Sequence, residues 1–199
     1  FRSMKSDPEA DQQVIRLMIE AASKEIFSEL FNEVEIATVI HSLACLDRSV
    51  RFSPSLKEEA RDVALKLTKQ LCEELFTVKE RVLVSVIYGL GILFKDETNV
   101  MHRYPELKTV VEMLSAEICH KHRIEMFTQQ GLANIFHAYG CLKWKFDLVL
   151  TRLGQEVIKR VGDEIRKRSD GEILDQSGGF KNQEIVAIIM ALSKIRCDD

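Results

Sequence analysis

An eleven-residue pattern occurs four times in this chain and constrains its fold more than any other feature. We call each copy a cassette; the four read IATVIHSLACL, LVSVIYGLGIL, LANIFHAYGCL and IVAIIMALSKI, at 36–46, 83–93, 132–142 and 185–195. Positions one, four, five, eight and eleven are large and apolar, and positions seven and nine are always small. Successive copies begin 47, 49 and 53 residues apart. Repetition at this interval is typical of stacked helical repeats, which form extended binding surfaces.

The spacing of apolar residues predicts an all-α protein. Between the cassettes, apolar side chains recur every three or four residues, as on one face of a helix. Only 9 glycines and 3 prolines leave little room for the many tight turns of a β-rich fold. The sequence therefore predicts a right-handed α-solenoid of stacked helical hairpins, in which cassette helices alternate with longer amphipathic helices. The eight predicted helices cover 8–29, 32–47, 54–75, 77–94, 105–124, 128–143, 146–168 and 181–197.

Residue types at the predicted helix starts support these boundaries. Proline stands at the head of three of the longer helices, where its missing N–H costs no hydrogen bond. Asn32 with Glu35, and Thr77 with Glu80, have the spacing of a capping box. A phenylalanine just before each cassette helix is a predicted hydrophobic staple. The prolines are Pro8, Pro54 and Pro105, and the phenylalanines are Phe31, Phe76, Phe127 and Phe180.

The repeat also predicts how the chain is organised. We interpret residues 1–6 as a cloning scar or disordered start, and 7–199 as one helical-repeat domain. The small residues at positions seven and nine predict close backbone approach between neighbouring cassette helices. Because no long helix follows the fourth cassette, we expect the chain to be a fragment of a longer protein. The repeat units lie near 31–47, 77–94, 127–143 and 180–197.

Composition and motifs argue against several classes of function. The net charge of −3 offers no whole-chain argument for nucleic acid, and five cysteines without a CxxC pair indicate reduced, intracellular thiols. No stretch reaches the roughly 18 apolar residues that span a bilayer, so we expect no membrane partner. His120 and His122 are two residues apart, which does not place two ligands on one helix face. The sequence predicts no catalytic residue, no metal site, no cofactor, no small-molecule substrate and no enzymatic activity.

The third cassette carries a resemblance to a known group of proteins. Residues 127–142 follow the pattern Phe-x-x-Gln-x-Leu-Ala-Asn-Ile-Phe-His-Ala-Tyr-Gly-Cys-Leu, and 180–186 and 31–37 look like further copies. This pattern resembles the octotricopeptide and heptatricopeptide repeats of organellar RNA-binding proteins, including RAP-domain and FAST-kinase-like proteins. The resemblance implies a helical-repeat module that binds single-stranded RNA. It also implies an RNA-processing or ribosome-associated factor of a mitochondrion or plastid.

An alternative function stays open from the sequence. Armadillo or HEAT-like scaffolds have similar aliphatic and small residues, and they bind a peptide or a partner helix. The acidic charge balance favours such a protein partner, whereas the cassette pattern favours RNA.

Two columns of the repeat are candidate ligand contacts. Position six is an aromatic or imidazole ring in three cassettes, and such rings stack on successive bases in single-stranded complexes. The alternative is that these rings only cover the groove to a neighbouring helix. Position three is small and mostly polar and would reach base edges. The two columns are His41, Tyr88, His137 and Met190, and Thr38, Ser85, Asn134 and Ala187.

Basic residues between cassettes are candidate phosphate contacts. The segment 120–123 is predicted to close the helix at 105–124, where cations would equally complement the helix dipole. Lys143 and Lys145 flank the only tryptophan, in a predicted turn beside the end of the third cassette. The candidate RNA-binding residues are therefore His41, Tyr88, His137, Asn134, Thr38, Ser85, Lys143, Trp144, Lys145, Lys121 and Arg123.

Overall fold

A computed structural model describes residues 8–24, 31–169 and 179–196 of the chain. Within these ranges the protein contains ten α-helices and one 3₁₀ turn and no β-strand, which confirms the predicted all-α class. Across the same ranges, no helix is long and apolar enough to cross a membrane. The helices are α1 (Pro8–Ser23), α2 (Glu33–Val50), α3 (Pro54–Cys72), α4 (Glu80–Phe94), α5 (Val100–Arg103), α6 (Pro105–Ile118), α7 (Lys121–Met126), α8 (Gln129–Leu142), α9 (Asp147–Ser169) and α10 (Asn182–Arg196).

Each of the eight predicted helices is present, with two corrections. The predicted helix at 105–124 is wrong as one element, because α6 ends at Ile118 and His120 takes an extended conformation before α7 begins. The short α5 was not predicted. Residues 1–7, 25–30 and 197–199, on which the predicted leader and two predicted helix ends fall, lie outside the described residues.

The predicted helix starts hold except in the second repeat. Asn32 accepts backbone N–H groups while Glu35 accepts the N–H of Asn32, which completes the predicted capping box. The second predicted box is wrong, because Lys79 occupies the N-cap of α4 and the Thr77 hydroxyl donates to the carbonyl of Glu74, just before the 3₁₀ turn. Pro54 and Pro105 begin α3 and α6 as expected.

The predicted staple at Phe76 is also wrong. Its side chain is 76% exposed, and the neighbouring Val78 is buried in its place. Val78 directly precedes the N-cap of α4, as Phe127 precedes the N-cap of α8. Phe76 lies seven residues before its cassette, whereas the other three phenylalanines lie five residues before theirs. The 3₁₀ turn at Leu75–Thr77 takes up these two extra residues and restores the register.

The helices pack in two series. The cassette helices contact one another in the order α2, α4, α8 and α10, and the longer helices contact one another in the order α1, α3, α6 and α9. A Cβ added to Gly91 would lie 2.7 Å from the Cα of Ala138, and one added to Gly89 would lie 2.7 Å from Ile40 Cγ2. The predicted close approach of cassette helices is therefore confirmed, and position nine of one helix meets position seven of the next.

Candidate functional site

The rings at position six form a continuous ladder across three cassette helices. The ring centroids of His41 and Tyr88 are 6.0 Å apart, and those of Tyr88 and His137 are 5.6 Å apart, with an interplanar angle of 33° in both pairs. His41 is exposed, whereas Tyr88 and His137 are partly buried. The sequence predicted this column, and the packing of α2, α4 and α8 brings its three rings side by side.

The small polar column lines a groove next to this ladder. Thr38, Ser85 and Asn134 face a cavity of about 970 Å³ that crosses α2, α4 and α8 and also contacts His41. The Thr38 hydroxyl donates to the carbonyl of Val34, so its proton is engaged by the backbone of its own helix. These three residues of column three and His41 of column six therefore belong to one concave surface.

A second, smaller cavity extends the surface to the fourth cassette. It has a volume of about 310 Å³ and lies between α8 and α10. His137 lines it together with Ala187 and Met190, which continue the two columns, and with Lys194. The columns that the sequence singled out thus run over all four cassette helices.

Positive charges surround the last ring of the ladder. Burial lowers the pKa of His137, and the charges of Lys194, Arg48 and Lys95 lower it further. The neutral imidazole is therefore favoured, although the site is electropositive. Burial likewise raises the pKa of the Cys141 thiol, whose Sγ lies 3.5 Å from His137 Nε2, so this pair does not hold a reactive thiolate.

These three cations were missed in the sequence. Arg48 and Lys95 each lie two residues beyond the last leucine of a cassette, so a comparison of cassette flanks would have found them. Arg48 Nη1 lies 3.4 Å from the Tyr88 hydroxyl and donates to it. In the described part of the chain, neither Arg48, Lys95 nor Lys194 forms an ion pair with a carboxylate.

Arg123, in contrast, is occupied by structural contacts. Its guanidinium donates to carbonyl oxygens just ahead of α4 and pairs with Glu80 and Glu117, and its side chain is only 11% exposed. The segment 120–123 starts α7 instead of closing a helix, because this turn carries Arg123 back to those carbonyls. The side chain of Lys121 lies outside what the structure describes. We therefore leave Arg123 out of the site, and the RNA-binding role of Lys121 stays a prediction.

The contact of Arg123 is one case of a repeated arrangement. A long polar side chain bonds the carbonyl oxygen of the residue before the N-cap of a cassette helix in three repeats. The donor lies 33 to 45 residues later in the chain each time, in the helical segment between that cassette and the next, and ties the start of the cassette helix to that segment. The pairs are Gln70 with Phe31, Arg123 with Val78, and Arg160 with Phe127.

The turn after α8 packs partly on the core. Trp144 is partly buried against the core, and its ring lies 6.2 Å from the ring of Phe146. Lys143 caps α8 in the left-handed conformation, and both it and Lys145 are exposed. The RNA-binding role of these three residues stays a prediction.

No protein-family model, no curated protein and no solved structure matches the chain. Among the described residues, no three His, Cys, Asp or Glu side chains converge as metal ligands would. The surface formed by columns three and six, with Arg48, Lys95 and Lys194 beside it, is the candidate site, and we call it the cassette face.

Proposed function

We propose that this protein is a non-enzymatic RNA-binding module and that the cassette face binds single-stranded RNA. One observation carries the proposal: a ladder of three adjacent rings ends beside Arg48 and Lys194, neither of which forms an ion pair with a carboxylate in the described structure. Rings and unneutralised cations are the two parts that single-stranded nucleic acid needs, because bases stack and phosphates require positive charge.

The fold that we propose for this module is a right-handed α-solenoid. The serial contacts of the cassette helices and of the longer helices support two layers. The contact between position nine of one cassette helix and position seven of the next supports a regular step, since it recurs between α4 and α8 and between α8 and α10. Such a step would carry a ligand surface along the array.

Each part of the cassette face has a role in the proposed complex. His41, Tyr88 and His137 stack on bases, which is worth about 1–3 kcal/mol per base in single-stranded complexes. The cations neutralise phosphates, and this contribution is independent of sequence. Ser85 and Asn134 supply hydrogen bonds to base edges in the groove.

The resemblance of the third cassette to organellar repeat proteins extends the proposal to a cellular role. We propose an RNA-processing or ribosome-associated factor of a mitochondrion or plastid. The support is the cassette pattern alone, and a fluorescent fusion of the full-length protein would test the compartment.

Filter binding with single-stranded RNA at several salt concentrations tests the main proposal. Replacing Arg48, Lys95 and Lys194 by Gln should weaken binding and reduce the salt dependence by up to about two units of slope, because each single-strand phosphate contact contributes about 0.7. The matched control replaces Lys66, Lys69 and Lys108 on α3 and α6 by Gln and removes the same charge from the other helix series. Equal losses in both triple variants would contradict a site on the cassette face.

Two further variants separate the ring ladder from the turn. Tyr88→Ala should lower RNA affinity with little change in salt slope, because stacking releases few counterions. Replacing Lys143 and Lys145 by Gln tests the edge predicted from the sequence. If only the turn variant weakens binding, RNA follows that edge instead of the cassette face.

The second candidate function is a scaffold that binds a peptide or helix in the groove. Apolar side chains of Ala37, Val82 and Val84 line the groove beside its polar residues, which favours a ligand with apolar groups. This scaffold function predicts no measurable RNA binding by the wild-type chain at low salt.

A further inference from the structure

The cassette helix α4 is accessible to solvent along a single stripe. From residue 81 to residue 95 every residue is buried except four, and these four recur at the spacing of one helix face. They are Arg81, Ser85, Tyr88 and Lys95. The stripe therefore carries a cation at each end, with a hydroxyl group and an aromatic ring between them, and residues 81–95 include no carboxylate.

The positive charge at both ends of the stripe is available to a ligand. In the described part of the chain, neither Arg81 nor Lys95 forms an ion pair with a carboxylate. The carboxylates next to them in sequence are held by other cations. These pairs are Glu80 with Arg123, and Asp96 with Lys57.

A second basic side chain adds to the charge at the first end of the stripe. Lys79 is the N-cap residue of α4, is exposed, and has no ion pair with a carboxylate within the described ranges. Together with Arg81 and Ser85 it lines the groove of about 970 Å³. We call Lys79 and Arg81 the groove-mouth cations. The three cations of the cassette face lie towards the opposite ends of their helices.

The other cassette helices do not repeat this arrangement. When the four cassettes are aligned, the position of Arg81 is occupied by Val34, Gln130 and Gln183. The position of Lys95 is occupied by Arg48, Trp144 and Cys197. Of the four cassettes, the one in α4 is therefore the only one with a cation at both positions.

We propose that a single RNA strand lies along α4, with phosphates at the groove-mouth cations and at Lys95 and with a base on Tyr88. This inference rests on the proposed RNA binding and adds the path of the strand. Neighbouring bases can turn towards the rings of His41 and His137, whose centroids lie 6.0 and 5.6 Å from that of Tyr88. The strand therefore runs along one cassette helix instead of following the series of cassette helices.

The length of α4 sets the shortest strand that makes both phosphate contacts. The 14 residues from Arg81 to Lys95 correspond to about 21 Å at about 1.5 Å per residue. A stacked strand advances about 3.4 Å per nucleotide, so this distance takes about six nucleotides. A trinucleotide is too short for both contacts, whereas an octanucleotide reaches both ends.

Competition between oligouridylates of three and eight nucleotides for a labelled octamer, followed by fluorescence anisotropy, tests the path. The wild type should bind the octamer at least thirtyfold more tightly than the trimer. An octamer offers a trimer-sized site about six registers, which alone account for about sixfold. Replacing Lys79 and Arg81 by Gln should reduce the ratio towards sixfold. The same variant should lower the salt slope for the octamer by up to about 1.4, because each single-strand phosphate contact contributes about 0.7.

Two further variants serve as controls. Replacing Lys66 and Lys69 on α3 by Gln removes the same charge from the other helix series and should keep the wild-type ratio. Arg81→Lys keeps the charge at the groove mouth and should retain the salt slope. Circular dichroism checks that every variant is folded.

The outcomes separate the path of the strand from RNA binding itself. If the wild type binds the octamer and the Lys79 and Arg81 variant keeps its ratio and salt slope, the strand does not reach the groove mouth and this inference is wrong. A wild-type ratio near sixfold would overturn it equally, and the proposed RNA binding would stand in both cases. If the wild type binds no RNA at low salt, the proposed function fails and this inference fails with it.

Discussion

Gly140 of α8 lies against Ala191 of α10 so closely that a Cβ on the glycine would be 2.8 Å from the Cα of Ala191. Real Cβ atoms do not approach backbone atoms at this distance, so a side chain here would push two cassette helices apart. Gly140→Leu should therefore destabilise the protein by about 1–3 kcal/mol or more through overpacking. Urea denaturation followed by circular dichroism measures the effect, and an unchanged midpoint would contradict the observed contact.

Gly154 in α9 provides the opposite case. No heavy atom lies within 4 Å of a Cβ added there, and the residue is in the middle of a helix. Gly154→Ala should stabilise the protein by about 0.5–1 kcal/mol, because alanine loses less backbone entropy on folding. The same urea titration checks this, with Gly140→Ala, which should destabilise, as the paired variant.

A substitution at Arg123 distinguishes a structural role of this side chain from a role in RNA binding. Removing its side chain leaves carbonyl oxygens ahead of α4 and the carboxylate of Glu117 without their donor. Arg123→Ala should lower the free energy of unfolding by about 1.5–3 kcal/mol, the usual range for hydrogen bonds to a charged group. RNA affinity of the remaining folded protein should be unchanged at low temperature. If Arg123→Ala loses RNA affinity without losing stability, Arg123 belongs to the ligand site.

His137 should make folding stability depend on pH. Burial and the charges of Lys194, Arg48 and Lys95 hold its pKa below the ordinary value of 6.5 in the folded chain. The unfolded chain therefore binds this proton at higher pH than the folded chain does, and the free energy of unfolding should fall as pH drops below about 6.5. His137→Asn cannot take up that proton, so the wild type should lose more stability than the variant between pH 7 and pH 5.5. Equal losses would show that other groups control this range.

The fold class and the repeat could be predicted because they depend on local pattern. Aliphatic residues at helical spacing must be buried against another apolar surface, whichever element supplies it. Pro54 and Asn32 favour the start of a helix through the first turn that they belong to or cap. The ring column of His41, Tyr88 and His137 was visible for the same reason, since equal positions in equal helices must align when the helices stack.

Other features depended on contacts between distant residues. The sequence offers both Phe76 and Val78 for the staple position ahead of α4. The 3₁₀ turn between α3 and α4 places Val78 there and leaves Phe76 exposed. The predicted helix at 105–124 is broken because Arg123 donates hydrogen bonds to carbonyl oxygens more than 40 residues earlier in the chain. Local helix propensity carries no information about these hydrogen bonds. A pattern of apolar residues holds no information on these polar contacts.

The sequence by itself determined that cassette helices would be close-packed, because Gly91, Gly140 and their equivalents have no other reason to recur. Only the tertiary structure decided which charges are available to a ligand. The guanidinium groups of Arg123 and Arg160 are bound by carbonyl oxygens and carboxylates. Arg48 and Lys194, in contrast, lie beside the ring ladder without a carboxylate partner in the described chain. The physical reason is that a cation's availability depends on acceptors brought to it by folding, and these are distant in sequence.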